Sequence, residues 1–113
     1  MDFVDKLQKF MKFINKKYQD DNVFRSYGQG PWQLVRESGI DFGDARAQLE
    51  AMNILLREGL MEVVNFKTAK QVTSYTKIRP SLKGLKSTKQ DWMKVLETVT
   101  KAIAEGVVKG LPK

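Results

Sequence analysis

The sequence predicts an α+β, mostly α domain in which long helices at both ends flank a core of short helices and one β-hairpin. Three observations carry that reading. Apolar residues recur at helical spacing at both ends of the chain. Two pairs of helix start and stop signals, Pro31 with Gly39 and Asp44 with Gly59, bracket two further helices. Residues 60–78 are rich in Val, Thr and aromatic side chains on either side of a polar linker. A chain of 113 residues suits one domain with a modest core.

From Asp2 to about Gln19, Phe3, Val4, Leu7, Phe10, Met11, Ile14 and Tyr18 form one apolar stripe, widened by Phe13. Lys6, Lys9, Lys12, Lys16 and Lys17 lie off it and read as a solvated face. Asp20-Asp21-Asn22 ends this helix. Val23 to Tyr27 is expected as a short strand before Gly28-Gln29-Gly30, which has the backbone freedom of a turn.

Pro31 suits the first position of a helix that buries Trp32, Leu34 and Val35 and stops at Gly39. After the turn Ile40-Asp41-Phe42-Gly43, Asp44 is the expected N-cap of a helix running to Glu58. Its inward residues are expected to be Ala45, Leu49, Met52, Leu55 and Leu56. Arg46, Ala47, Glu50, Asn53 and Arg57 then face outward, and Ile54 lies off the centre of the stripe.

Leu60 to Phe66 and Val72 to Ile78 read as strands joined by Lys67-Thr68-Ala69-Lys70-Gln71 into a basic hairpin. Arg79-Pro80 ends the second strand, and Ser81 is a candidate cap. A last helix, from Thr88 to about Lys109, aligns Trp92, Leu96, Val99, Ile103 and Val107, with Met93 and Val95 beside them. That is more apolar surface than a terminal helix of a small domain needs, so it is expected to pair with the first helix or with a second subunit. Gly106, Gly110 and Pro112 imply fraying at its end.

The chain has no cysteine and no histidine, which excludes disulfides, thiolate or imidazole zinc sites, and Cys- or His-based catalysis. No glycine-rich phosphate loop, nucleophile elbow or suggestive carboxylate pair is present. The expectation is a non-enzyme without cofactor or metal. No run of 18 or more apolar residues occurs, and Asp2 and Asp5 stand where a signal peptide needs positive charge, so a cytoplasmic protein without membrane contact is expected. The net charge of +7 favours anionic partners. It is concentrated: residues 60–90 hold seven bases and one acid, whereas residues 31–59 hold three bases and five acids.

Ala51-Met52-Asn53-Ile54-Leu55-Leu56-Arg57-Glu58-Gly59-Leu60-Met61-Glu62-Val63 resembles the end of the recognition helix and the first wing strand of winged helix-turn-helix regulators of the MarR and PadR type. Ile78-Arg79-Pro80-Ser81-Leu82-Lys83-Gly84 is similar to the segment that closes their second wing strand, with Pro80 for the usual Leu and Ser81 for the usual Thr. The likeness covers residues 31–85 as a winged-helix core. It takes in residues 1–19 and 88–110 if the terminal helices play that family's part in dimerisation. Gly28-Gln29-Gly30-Pro31-Trp32 has no counterpart in it.

The resemblance implies a DNA-binding transcriptional regulator whose third helix enters the major groove while the wing meets phosphates. Carried onto this chain, Asp44, Arg46, Ala47, Glu50 and Asn53 face double-stranded DNA, and Lys67, Lys70, Lys77 and Arg79, with Lys83, Lys86 and Lys89, supply phosphate contacts. Asp44 and Glu50 oppose that use, because a carboxylate in a phosphate-lined groove is repelled unless it caps a helix, meets a cytosine amine or is neutralised by a neighbour. A homodimer formed through Phe10, Ile14, Trp92, Leu96, Val99 and Ile103 is expected. The alternative is a winged-helix module that docks on protein or RNA without sequence-specific DNA readout. A pocket between the terminal helices and the DNA-binding core is a place for a ligand, with Trp92 and Phe10 as candidates for its wall, although core packing is the readier expectation for both.

Overall fold

A computed structural model describes residues 2–64 and 76–106. Their elements run α1 (Phe3–Asp20), α2 (Asn22–Tyr27), α3 (Pro31–Ser38), α4 (Ala45–Arg57), β1 (Met61–Val63), β2 (Ile78–Pro80), α5 (Leu82–Leu85) and α6 (Lys89–Ala104). The described chain is therefore mostly helical, with one small antiparallel sheet in which Met61 faces Pro80 and Val63 faces Ile78. Among the described residues no helix is long and apolar enough to cross a membrane.

α1 starts on the Asp2 carboxylate, which accepts from the Asp5 backbone N–H at 2.8 Å, and buries the expected Phe3, Leu7, Phe10, Met11 and Ile14. Phe42, from the turn between α3 and α4, stands edge-on to both Phe3 and Phe10 with ring centroids 5.9 Å apart. Edge-to-face pairing of this kind adds about 0.5–1.5 kcal/mol per pair to the area buried. The turn is thereby clamped to α1.

Residues 23–27 are helical, within α2, and not the expected strand. Asp21 ends α1 and at once caps α2, its carboxylate accepting from the Phe24 N–H at 3.0 Å. That cap, with Phe24 pinned in the core, outweighs the β preference of Val, Phe and Tyr. Gly28 then adopts φ 68°, and a Cβ there would collide with the Val64 side chain and crowd the Ile78 carbonyl oxygen. This close approach lets Gln29 exchange two backbone hydrogen bonds with Ile78, at 2.9 and 3.1 Å. The glycine segment is thus a one-residue bridge on the free side of β2. Pro31 follows as the buried first residue of α3, and Gly39 closes that helix in the left-handed conformation.

α4 begins at Asp44 as expected, with the Asp44 carboxylate accepting from the Ala47 N–H at 2.8 Å, but its buried stripe is rotated. Ala47, Ala51, Met52, Ile54, Leu55 and Leu56 are buried, whereas Ala45 is exposed and Leu49 is 38% exposed. The cause lies in α6, which packs along one flank of α4 through contact of Ala102 with Ala47. Small residues on both helices permit that approach, and the second neighbour moves the centre of burial away from Leu49.

β1 and β2 lie within or next to the two expected strands. Residues 65–75, which take in Phe66, the polar linker and the first part of the second expected strand, lie outside the described residues. β2 extends through Arg79 and Pro80, past its expected end at Ile78. Pro80 is tolerated as the last residue, with the ladder continued by Ser81 N–H donating to the Leu60 carbonyl at 3.1 Å. Ser81 caps α5, a helix of four residues the sequence did not announce.

α6 starts with a capping box in which Thr88 and Asp91 exchange hydrogen bonds. Its buried residues are Val95, Ala102 and the expected Val99, so the stripe centres on Val95 and Ala102, not on Leu96 and Ile103. α6 packs between α1 and α4, and two-sided packing rotates it. The helix ends at Ala104, short of the expected Lys109, with Gly106 at φ 73° just beyond. Val107, Gly110 and Pro112 lie outside the described residues.

Candidate nucleic-acid interface

The apolar side of α4 faces the core, so its opposite side is presented to solvent from a rigid base. Arg46, Ala45 and Leu49 are exposed there, and Asn53 is half-buried. Ala47, expected on this face, is only 2% exposed and is packed against Ala102 and Ile103, so it has no surface to offer a groove. Leu49, expected in the core, takes a place on the outward side.

The two carboxylates that argued against this face are both engaged. Asp44 spends an oxygen on the cap of α4. Glu50 accepts from the Arg57 guanidinium at 2.5 Å and lines a cleft between α4 and α6 with Glu58, Thr98 and Lys101. A paired carboxylate turned towards α6 repels a phosphate less than a bare one. Sequence reading places Glu50 and Arg57 separately on the outer face; their spacing of seven residues, two helical turns, is the available signal for the pair.

The hairpin cations divide. Lys77, Lys86 and Lys89 are exposed. Arg79 is not a free cation: its Nε donates to the Glu62 carboxylate at 2.9 Å and its Nη1 to the Arg25 carbonyl at 3.0 Å. It ties β2 to β1 and to α2, and the expectation of a phosphate contact is replaced by that tie. Glu62 is its cross-strand partner, a pairing readable only once the register is known. Lys83 donates to the Glu58 carbonyl at 2.8 Å and lies 3.8 Å from the Asp91 carboxylate. Lys67 and Lys70 lie outside the described residues.

The residues expected at a subunit interface also divide. Phe10 and Ile14 are fully buried within the core of this chain, where they offer a second subunit nothing, and Val99 is nearly so, with one edge in the groove described next. Trp92 and Ile103 are partly buried against that core, while Leu96 is 51% exposed beside Met93 at 55%. Next to them runs an apolar groove of about 470 Å³ between the start of α1 and the second half of α6, lined by Phe3, Val4, Leu96, Val99 and Ile103. Trp92 and Phe10 are not in its wall; Trp92 lines a separate cleft of about 300 Å³.

The chain matches no protein-family model, and no curated protein or solved structure matches it significantly.

Proposed function

We propose that this chain is a winged-helix domain that binds double-stranded DNA, with α4 as the element presented to the major groove and Lys77, with Lys67 and Lys70, as phosphate contacts. The observation that carries the reading is the solvent side of α4. It presents Arg46, Leu49 and Asn53 on a helix whose back is fixed in the core, while the carboxylates of Asp44 and Glu50 are occupied by a cap and by Arg57. Arginine at the start of such a helix pairs with guanine and asparagine with adenine, each good bidentate contact giving about 1–3 kcal/mol of discrimination. Support for the fold name comes from element order. A long helix, the short α2, a one-residue bridge at Gln29, two helices and two antiparallel strands of which the second lies between its partner and the bridge follow one another, an order that matches a winged helix apart from the added α2.

A regulator of this kind works as a dimer on two half-sites, and the surface left for pairing is the exposed side of α6 at Met93 and Leu96 with the adjoining groove. The test is titration of labelled duplex DNA at several salt concentrations, with the mass of the free protein measured alongside. DNA binding gives an affinity that falls with salt by a slope of about −0.9 per phosphate contacted. Absence of binding at low salt sinks the reading and leaves a winged-helix module that docks on protein or RNA.

A further inference from the structure

The lysines of α1 take no part in the face just described. Lys9, Lys12 and Lys16 lie on the side of α1 away from its buried stripe, two helical turns or roughly 10 Å from first to last. Lys12 also lines the cleft of about 300 Å³ whose other walls are Gln8, Met11, Asn15, Ser87 and Trp92. Lys86 adjoins the cleft residue Ser87 in the chain and Lys89 precedes the cleft residue Trp92 by three residues on α6, and both are exposed. This cleft lies towards the other end of α1 from the apolar groove at Phe3 and Val4.

Its lining is specific in kind. Trp92 offers an indole held in place by its Nε1, which donates to the Ser87 hydroxyl at 3.2 Å. The Asn15 amide is fixed by donating to the Gly84 carbonyl at 3.1 Å, and its oxygen is buried and accepts no hydrogen bond from the described residues. Gln8 adds a second amide. Among the described residues Asp5 and Asp20 lie one helical turn from Lys9 and Lys16 on the same side of α1, and Asp91 has its carboxylate occupied by Thr88 and facing Lys83. The cations outnumber the available acid.

We infer that the Lys9, Lys12, Lys16, Lys86 and Lys89 surface around the Trp92 cleft is a second site that takes single-stranded nucleic acid. Single strands are held by cations that follow the backbone and by an aromatic ring on which an unstacked base rests, with polar side chains meeting the base edge. A duplex keeps its bases inside and would leave Trp92 and the amides unused. An acidic peptide would satisfy the lysines without calling on the flat indole. The inference stands apart from duplex binding by α4, and its failure is separately visible.

The experiment is titration of a Trp32→Phe variant, in which Trp92 is the sole tryptophan, with oligothymidylate at several salt concentrations. The same titration is then run on the double variant Lys12→Gln, Lys16→Gln, with its thermal melt recorded to establish that it is folded. The expected result is quenching of Trp92 and a salt slope of about −0.7 per phosphate contacted. Oligothymidylate affinity should be at least tenfold weaker in the double variant, with duplex affinity within twofold of the parent. The inference is overturned if saturating oligothymidylate leaves Trp92 emission unchanged, or if the double variant binds it as tightly as the parent. It is also overturned if polyglutamate quenches Trp92 equally, or if Arg46→Ala and Lys77→Ala abolish oligothymidylate binding while the lysine variant does not.

Discussion

The Cα of Gly84 lies against the carbonyl oxygen of Leu60, so close that a β-carbon on residue 84 would overlap that oxygen. The same carbonyl accepts the Ser81 N–H, and the Ser81 hydroxyl both donates to the Gly59 carbonyl and accepts from the Gly84 N–H. The two motifs Gly59-Leu60 and Ser81-x-x-Gly84 are therefore one junction, which closes the end of α4 onto the start of α5.

Gly84→Ala is expected to destabilise the fold by about 1–3 kcal/mol, the usual cost of overpacking. In a domain of about this size that lowers the melting temperature by roughly 4–8 °C per kcal/mol. A thermal melt unchanged within a degree would mean that the junction relaxes without cost.

Arg79→Ala is expected to weaken the fold by about 1–3 kcal/mol, since it removes hydrogen bonds from a charged donor and leaves Glu62 and the Arg25 carbonyl without that partner. Urea denaturation measures this. If Arg79 is structural, duplex affinity of the folded variant falls less than for Lys77→Ala. The reverse order would restore Arg79 as a phosphate contact.

Arg46→Ala is expected to relax sequence preference by about 1–3 kcal/mol with little change in the salt slope, whereas Lys77→Ala weakens binding to all sequences and reduces the slope by about one contact. Competition between a preferred duplex and unrelated duplexes separates the two. Equal effects of both variants on all sequences would remove Arg46 from the reading role.

The pH dependence has a defined sign at Glu37. The Lys17 ammonium, 2.6 Å away, holds its carboxyl below the ordinary value of 4.5 against the opposing cost of burial, with Gln29 and Gln33 assisting. A lowered folded-state pKa contributes stability that is full above the ordinary value and lost as pH falls through the folded one. Glu37→Gln should therefore melt below the parent at neutral pH, by a margin kept small by solvent screening, and the two should converge in acid. A gap that persists in acid strong enough to protonate the carboxyl in both states would place the effect in packing instead of charge.

Thr88→Ala removes the capping box of α6 and is expected to cost about 0.5–2 kcal/mol, measured by thermal or urea unfolding. Because α6 packs against both α1 and α4, circular dichroism should report a single cooperative transition for the variant, not separate fraying of one helix.

Features that depend on near neighbours in the chain were legible. The Asp44 and Ser81 caps, Pro31 at a helix start, Gly39 at a stop and the buried stripe of α1 follow from local hydrogen bonding and from one apolar side facing one core. α2 is not legible though its cap is equally local, because Asp21 serves two helices and its place at the end of the first accounts for it by itself. The faces of α4 and α6 were misassigned by about one residue position: each packs against more than one neighbour, and a pattern that assumes one neighbour points to its own centre. In the site, Arg46 kept its expected exposure, while Ala47 lost it to Ala102 and Arg79 was drawn into the strand pair.

By itself the sequence determined the helices at both ends, the signals that start and stop α3 and α4, and the excess of positive charge, because these are set by residues within a turn or two of one another. Only the tertiary structure decided what Gly28 and Gly84 are for and which charges remain free. It drew Gly28 against Val64 and Ile78, Gly84 against Leu60, and Arg79 onto Glu62 and Arg25. Close approaches and ion pairs between distant segments depend on distances that exist only after the chain has folded.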